Sequence, residues 1–267
     1  MHVLVTGAGR GYGAIVARRL AGTDCQVSVL GRESEALQKV ARDTGSTLLL
    51  ADVSDPVEVD EAIAGLVDPC GAPDVLVNNA GVGGPLGLAW EVDRRDWWQT
   101  LEVNLGGTHN VTSAVLPFML ERRSGRIINV VSHAGTSRWP YGSAYAVSKA
   151  AVIKYGENLA AELRKHGIVV LNFHPGILEV GLTATLFESN PASGTTEGMV
   201  ANWFRQQIAS GKSIDAERSA AQLTRLVLGE LDVFSGRYVT AYDDFDELND
   251  RADSLRDADY SLGLIEP

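Results

Sequence analysis

Tyr145 and Lys149 stand four residues apart in Tyr145-Ala146-Val147-Ser148-Lys149. On a helix that spacing puts both side chains on one face. A phenol with a pKa near ~10 is a poor acid or base at neutral pH, and an ammonium beside it favours the phenolate. The pair therefore suits proton transfer. A Tyr-x-x-x-Lys spacing is common by chance, and its company gives it weight. Ser132 lies thirteen residues before Tyr145, and Asn104 lies further upstream.

A second constellation sits at the N-terminus. Thr6-Gly7-Ala8-Gly9-Arg10-Gly11-Tyr12-Gly13 follows the apolar run Val3-Leu4-Val5. Glycines between a strand and a helix permit a tight turn and let backbone N–H groups approach a pyrophosphate. The spacing is Gly7-x-x-x-Gly11-x-Gly13, with Tyr12 where the commoner fingerprint has its last glycine. The second apolar run ends Val29-Leu30-Gly31-Arg32. NAD-preferring folds usually place a carboxylate there for the ribose 2′-OH. Gly31 offers none, while Arg32 and Arg10 suit a 2′-phosphate. The expected cofactor is NADP rather than NAD. Asp52 and Val53 are expected to accept from the adenine amino group and to flank its ring. Capping the next helix is the alternative for Asp52, although Ser54 or Asp55 would serve equally. Asn78-Asn79-Ala80-Gly81 closes the fourth run, at the sheet edge where ligands bind, or forms only a turn.

Short apolar runs must position these residues. Strands are expected at Val3–Thr6, Val27–Leu30, Thr47–Leu50, Asp74–Val77, Arg126–Val131 and Ile168–Phe173. Helical patterns separate them: Gly13–Ala21, Ser34–Arg42, Val57–Leu66, one long helix or two over Arg95–Arg123, and Ser143–His166. Continuous apolar strands imply a parallel sheet covered on both faces. Strands alternating with helices imply a doubly wound α/β fold of the Rossmann type, with about seven strands. No repeat or linker divides the chain, so residues 1–267 read as one dinucleotide-binding catalytic domain. Residues 179–213 break the rhythm, being rich in Gly, Ser and Thr yet carrying Leu182, Leu186, Met199, Trp203 and Phe204. A lid is expected there, with a helix around Met199–Gln207. Residues 241–267 hold nine acids and two arginines, and Phe245, Leu248 and Leu255 at helical spacings suggest a short amphipathic helix.

Taken together, the glycine turn, Asn78–Gly81, Asn104, Ser132, Tyr145 and Lys149 resemble a classical short-chain dehydrogenase/reductase. Gly125-Arg126-Ile127-Ile128-Asn129-Val130-Val131-Ser132 and Pro175-Gly176 match the same family, and the resemblance spans residues 1 to about 178. It implies that Tyr145 is the general acid in carbonyl reduction and the base in alcohol oxidation. Lys149 would support the phenolate and hold the nicotinamide ribose, Ser132 would bond the substrate oxygen, and Asn104 would position a water leading from Lys149. Gly7, Gly9, Arg10, Gly11, Tyr12, Gly13, Arg32, Asp52, Val53, Asn79, Ala80, Gly81, Tyr145, Lys149, Pro175, Gly176 and Leu178 form the expected cofactor site, Leu178 through its backbone. The family often has Thr where this chain has Val180, leaving Thr183 as the next candidate. The family's closing Asp-Gly-Gly is also missing, which puts the usual C-terminal subunit contact in doubt. Ser132, Trp139, Tyr141, Tyr145, Trp203 and Phe204 are the expected substrate contacts. His133 and His174 lack an acidic partner at a telling spacing and read as structural or substrate-lining. Trp97 reads as packing.

Composition narrows the field. The chain has 267 residues, 45% apolar and 21% charged, with a formal charge of −11. That surface disfavours nucleic acid and anionic membranes. No apolar run reaches spanning length, and the N-terminus carries no export pattern. Cys25 and Cys70 make no disulfide framework, and no Cys/His cluster has metal-ligand spacing. The expectation is a cytoplasmic homodimer or homotetramer that reduces a bulky, largely apolar carbonyl compound with NADPH and needs no metal. An epimerase or dehydratase on the same fold, or a dinucleotide-sensing protein, is the alternative.

Overall fold

The computed structural model describes residues 1–252. Strand and helix alternate from the start: β1 (His2–Thr6), α1 (Gly11–Ala21), β2 (Gln26–Gly31), α2 (Glu35–Thr44), β3 (Thr47–Leu50), α3 (Pro56–Cys70) and β4 (Val75–Asn78). Local chemistry sets the boundaries. Ser34 caps α2 by accepting from Leu37 N, and Gly45 ends it in the left-handed region. Asp55 caps α3, with Pro56 in the first turn where its missing N–H costs nothing.

The six expected strands are all present, each within one residue of its expected ends, with β5 at Gly125–Val130 and β6 at Ile168–His174. The seventh is β7 (Tyr238–Thr240). All pair in parallel, in the order β3-β2-β1-β4-β5-β6-β7. The chain winds outward from β1 to β3, then returns to pair β4 with β1 and winds the other way. That reversal opens a crevice at the strands' carboxyl ends, between the loops after β1 and β4.

Both faces of the sheet are buried. Val3, Val5, Leu171 and Phe173 pack with α1, α2 and α9 (Ala216–Leu228). Their neighbours Leu4, Val170 and Ile168 pack with α3, α5 (Gly107–Arg122) and α6 (Ser143–Leu163). Alternate side chains of one apolar run thus feed two cores.

The region expected as one helix or two is α4 (Arg94–Leu101) and α5 joined by a π-helical turn, Glu102–Gly106. Segment 179–213 contains α7 (Leu182–Glu188) and α8 (Thr196–Ala209). α10 (Phe245–Asp250) turns Phe245 and Leu248 into the core beside α1 and α9. Leu255 and the rest of the acidic tail lie outside the described residues. No helix among the described residues is long and apolar enough to cross a membrane.

Candidate active site

β5 delivers Ser132 two residues past its end, and α6 carries Tyr145 and Lys149 on adjacent turns. Lys149 is only 6% exposed. Its Nζ donates to the Val130 carbonyl at 2.9 Å and lies 5.9 Å from the centre of the Tyr145 ring. Burial disfavours the ammonium and lowers its pKa to about 8. Burial pushes the Tyr145 phenol up, and a hydrogen bond from Ser132 opposes that rise. Tyr145 is therefore protonated at neutral pH, with the Ser132 hydroxyl beside it and a cation close by.

Asn104 reaches this point from the π-helical turn. Its Nδ2 donates to the Val82 carbonyl and to Ser148 Oγ, each at 2.9 Å, and its Oδ1 accepts from Val82 N at 2.8 Å. Ser148 Oγ donates to the Tyr145 carbonyl at 2.8 Å. Asn104 thus joins the loop after β4 to α6, which carries Tyr145 and Lys149. A Cβ at Gly81 would stand 3.0 Å from Asn104 Oδ1 and 3.6 Å from Lys149 Nζ. Only glycine keeps that approach to the lysine open. Beneath it, Asn78, Asn129 and Asn172 occupy one register row across β4, β5 and β6. Asn78 donates to Asn129 at 3.0 Å, Asn129 to Asn172 at 3.2 Å, and Asn172 to the Ile153 carbonyl of α6 at 3.3 Å. This buried ladder fixes α6 against the sheet.

The glycine turn packs against the loop after β4. Gly7 has φ +66°, and a Cβ there would come 2.7 Å from Ala80 Cα. Thr6 Oγ1 accepts from Asn79 N and Ala80 N, each at 3.0 Å. The Asn79 side chain donates back to the Thr6 and Gly7 carbonyls at 2.9 and 3.3 Å. Asn79 therefore braces the turn through its amide nitrogen. Gly11, at φ +54°, lies against Gly181 at the start of α7. Arg10 stands at the N-cap position of α1 without a side-chain capping bond, and Arg32 follows β2, so both lie in loops after the carboxyl ends of neighbouring strands. Both are exposed, and among the described residues neither forms an ion pair. Burial of the Asp52 carboxyl tends to raise its pKa, but bonds from Ser54 and the charge of Arg32 outweigh that and lower it. Asp55, not Asp52, caps α3.

Two side chains expected at the cofactor point elsewhere. Tyr12 is buried and hydrogen-bonds with Ser219 Oγ of α9 at 3.0 Å, because the first turn of α1 lies directly on α9. Val53 is buried where α5 comes close at Gly107, and its carbonyl accepts from Asn110 at 3.0 Å. Each can offer a ligand only its backbone N–H. Leu178 and Val180 also pack into the core beside α1 and α9. The Pro175 carbonyl accepts from Ser219 at 2.7 Å.

Three of the expected substrate contacts meet. The Trp139 ring lies 4.7 Å from Trp203 and 5.6 Å from Phe204, and the latter two are 5.0 Å apart. Trp203 remains 38% exposed. Tyr141 is held apart from this cluster in the left-handed region, φ +68°, with its carbonyl accepting from Gly87 N at 2.8 Å. Trp97 donates to Ser143 Oγ at 3.1 Å, pinning α4 to the start of α6.

Sequence reasoning names His133 and His174 but misses the two tyrosines, Tyr238 and Tyr242, that pack with them. His174 ends β6 nearly buried, stacked on Tyr238 and within 6.1 Å of both His133 and Tyr242. Its Nδ1 has no partner among the described residues. Burial first, then His133, pulls its pKa down to about 3, so the ring is neutral. No spacing in the sequence marks Tyr238 or Tyr242, because the strand that carries Tyr238 is three residues long and Tyr242 lies in the turn after it.

Comparison with known proteins agrees with this geometry. A family model described as short chain dehydrogenase matches residues 1–191. The chain is 38% identical over 182 residues to the NADP-dependent 3-hydroxy acid dehydrogenase YdfG of Salmonella typhi, covering 67% of this chain and 73% of that one. The structure of a variant actinorhodin polyketide ketoreductase with NADPH superimposes with a TM-score of 0.81 at 30% identity, covering 90% of this chain and 94% of that one. A ribose-5-phosphate isomerase from Brucella melitensis matches as well in fold, also at 0.81 and 30%, covering 90% of each chain. Likeness of fold therefore leaves the reaction to be argued from the site. The family itself is settled by the sequence match over residues 1–191: this chain belongs to the short-chain dehydrogenases.

Proposed function

We propose that the protein is an NADP-dependent oxidoreductase that interconverts a carbonyl and a secondary alcohol, with Tyr145 as general acid and base. The observation that carries this reading is the buried ammonium of Lys149 held 5.9 Å from the ring of a phenol that Ser132 also bonds. In reduction, Ser132 and Tyr145 hydrogen-bond the substrate oxygen, and Tyr145 gives it a proton as negative charge develops there. The charge of Lys149 steadies the phenolate left behind. Asn104, fixed by Val82 and Ser148, holds the water that leads from Lys149 toward solvent.

The residues at the crevice suit NADP. Gly81 leaves Lys149 reachable, the glycine turn offers backbone N–H groups, and Arg10 and Arg32 are exposed with neither in an ion pair among the described residues, so both guanidinium groups can take a 2′-phosphate. The bound cofactor supplies the hydride. Lys149 would hold its nicotinamide ribose, Asp52 its adenine amino group, and the backbone of residues 79–81 and 175–178 its nicotinamide half. Relatives whose names carry NADP or NADPH support the same choice.

The Trp139, Trp203 and Phe204 cluster favours a bulky, largely apolar substrate, with α7 and α8 acting as a lid. We further read the protein as a cytoplasmic homodimer or homotetramer, the free thiols of Cys25 and Cys70 fitting a reducing setting. The test is NADPH oxidation over aromatic, steroidal and polyketide-like ketones. Net consumption is expected, with NADPH preferred over NADH. Arg32→Asp should cost NADPH binding about 1.5–3 kcal/mol and spare NADH. Cofactor that is never consumed with any substrate would favour an epimerase, a dehydratase or a sensor.

A further inference from the structure

Past Leu178 and Val180, which pack into the core, and Gly181, which lies against Gly11, the chain runs out through α7 and α8 and comes back beside its point of departure. Ile177 and Ser213 form an isolated parallel bridge, and Ile214 N donates to the Ile177 carbonyl at 3.0 Å. Tyr242, from the segment after β7, lies across this neck. Its hydroxyl accepts from Ile177 N at 2.8 Å and donates to the Lys212 carbonyl at 2.8 Å. One phenol therefore bonds both legs of the excursion. The Tyr242 ring lies under Gly176, where a Cβ would come 3.1 Å from Cζ and 3.0 Å from the hydroxyl oxygen. Tyr242 has firm backing: Ala241 before it and Phe245 after it are buried, and its own N–H donates to Thr240 Oγ1 at 3.2 Å. The clamped excursion carries Trp203 and Phe204, which close on Trp139.

We propose that Tyr242 is a positioning residue that clamps both legs of the 178–212 excursion and so sets how closely its aromatic face sits over the substrate. The proposal rests on reading the site as a carbonyl reductase. Both partners of the hydroxyl are backbone groups, so they are present whatever side chains the lid carries. Without the hydroxyl the first leg keeps its packing at Leu178, Val180 and Gly181 and the bridge at Ile177 remains, but the second leg loses its tie at Lys212 and can splay from the first while the sheet and the Tyr145 site stay in place. The contribution belongs to binding rather than to the proton step.

Tyr242→Phe keeps the ring and removes both bonds. Hydrogen exchange of the intact variant and parent, each with NADPH, should show amides within 178–212 exchanging about tenfold faster in the variant, with the strands unchanged. Steady-state reduction of a bulky ketone should show KM raised about five- to tenfold and kcat within about threefold of the parent. Unchanged exchange in 178–212 would overturn the clamp. Faster exchange with an unchanged KM, or a loss confined to kcat, would overturn its role in substrate positioning. If the parent reduces no carbonyl compound, the reading of the reaction fails, and the exchange comparison still decides the clamp.

Discussion

At the scale of single residues, the site combines a costly cation with an inert acid. Lowering the pKa of Lys149 from 10.5 to about 8 corresponds to roughly 3 kcal/mol against the charged form. Function asks for that charge beside Tyr145, where it offsets the negative charge of a phenolate. The sign of the pH effect follows. Below about pH 8 Lys149 is protonated and Tyr145 can give up its proton, and above it the support is lost. The kcat/KM for ketone reduction should therefore fall as pH rises through about 8. A pH–rate profile of the parent and of Lys149→Met checks this, since the variant should be slow throughout and lack that limb. The grouping of Tyr145, Lys149, Ser132 and Asn104 was legible from the Tyr-x-x-x-Lys spacing and the family resemblance together, and the structure brings the four to one end of α6. The inward turn of Tyr12 and Val53 was not legible. Their directions depend on Ser219 and Gly107, partners distant in sequence that no local pattern reveals.

At the scale of elements, the sheet strands could be read almost to the residue, because buried parallel strands are unbroken apolar runs. The π-helical turn at Glu102–Gly106 could not, since one wider turn leaves the helical pattern of α4 and α5 nearly intact. It nevertheless sets where Asn104 points. The end of β6 carries His174, which read as structural or substrate-lining and is a neutral, buried ring. Its folded pKa of about 3 lies below the ordinary 6.5, so the unfolded chain takes up the proton first as pH falls. The stability this ring confers is complete above about pH 6.5 and is lost progressively as pH drops toward 3, by about 1.4 kcal/mol per pH unit. Chemical denaturation between pH 7 and 4.5 should show a shallower acid loss in His174→Gln than in the parent. Equal slopes would mean that another group governs acid sensitivity.

At the scale of the whole molecule, alternation of strand and helix was enough to specify a doubly wound sheet, and with it the crevice where the loops after β1 and β4 meet. The path after β6 was less legible. Residues 179–213 read as too apolar for a linker and as holding a helix around Met199–Gln207, which α8 contains, but the sequence did not show that α8 would set Trp203 and Phe204 against Trp139. The segment after β7 read as an acidic tail. Its first part forms the expected short helix, which buries Phe245 and Leu248 in the core, and what could not be read is that this places Tyr242 at the neck of the 178–212 excursion. A formal charge of −11 sits oddly with a phosphate-bearing cofactor until the exposed Arg10 and Arg32 are seen in the loops after the paired strands β1 and β2.

The central claim is that the Tyr145 hydroxyl moves the proton that accompanies hydride transfer. Single-turnover reduction of a ketone by NADPH bound to Tyr145→Phe tests it most directly, with cofactor affinity measured on the same sample. The account predicts near-parental NADPH binding and a rate lower by about 10²–10⁴. A variant that binds NADPH and reduces the ketone at close to the parental rate would contradict it.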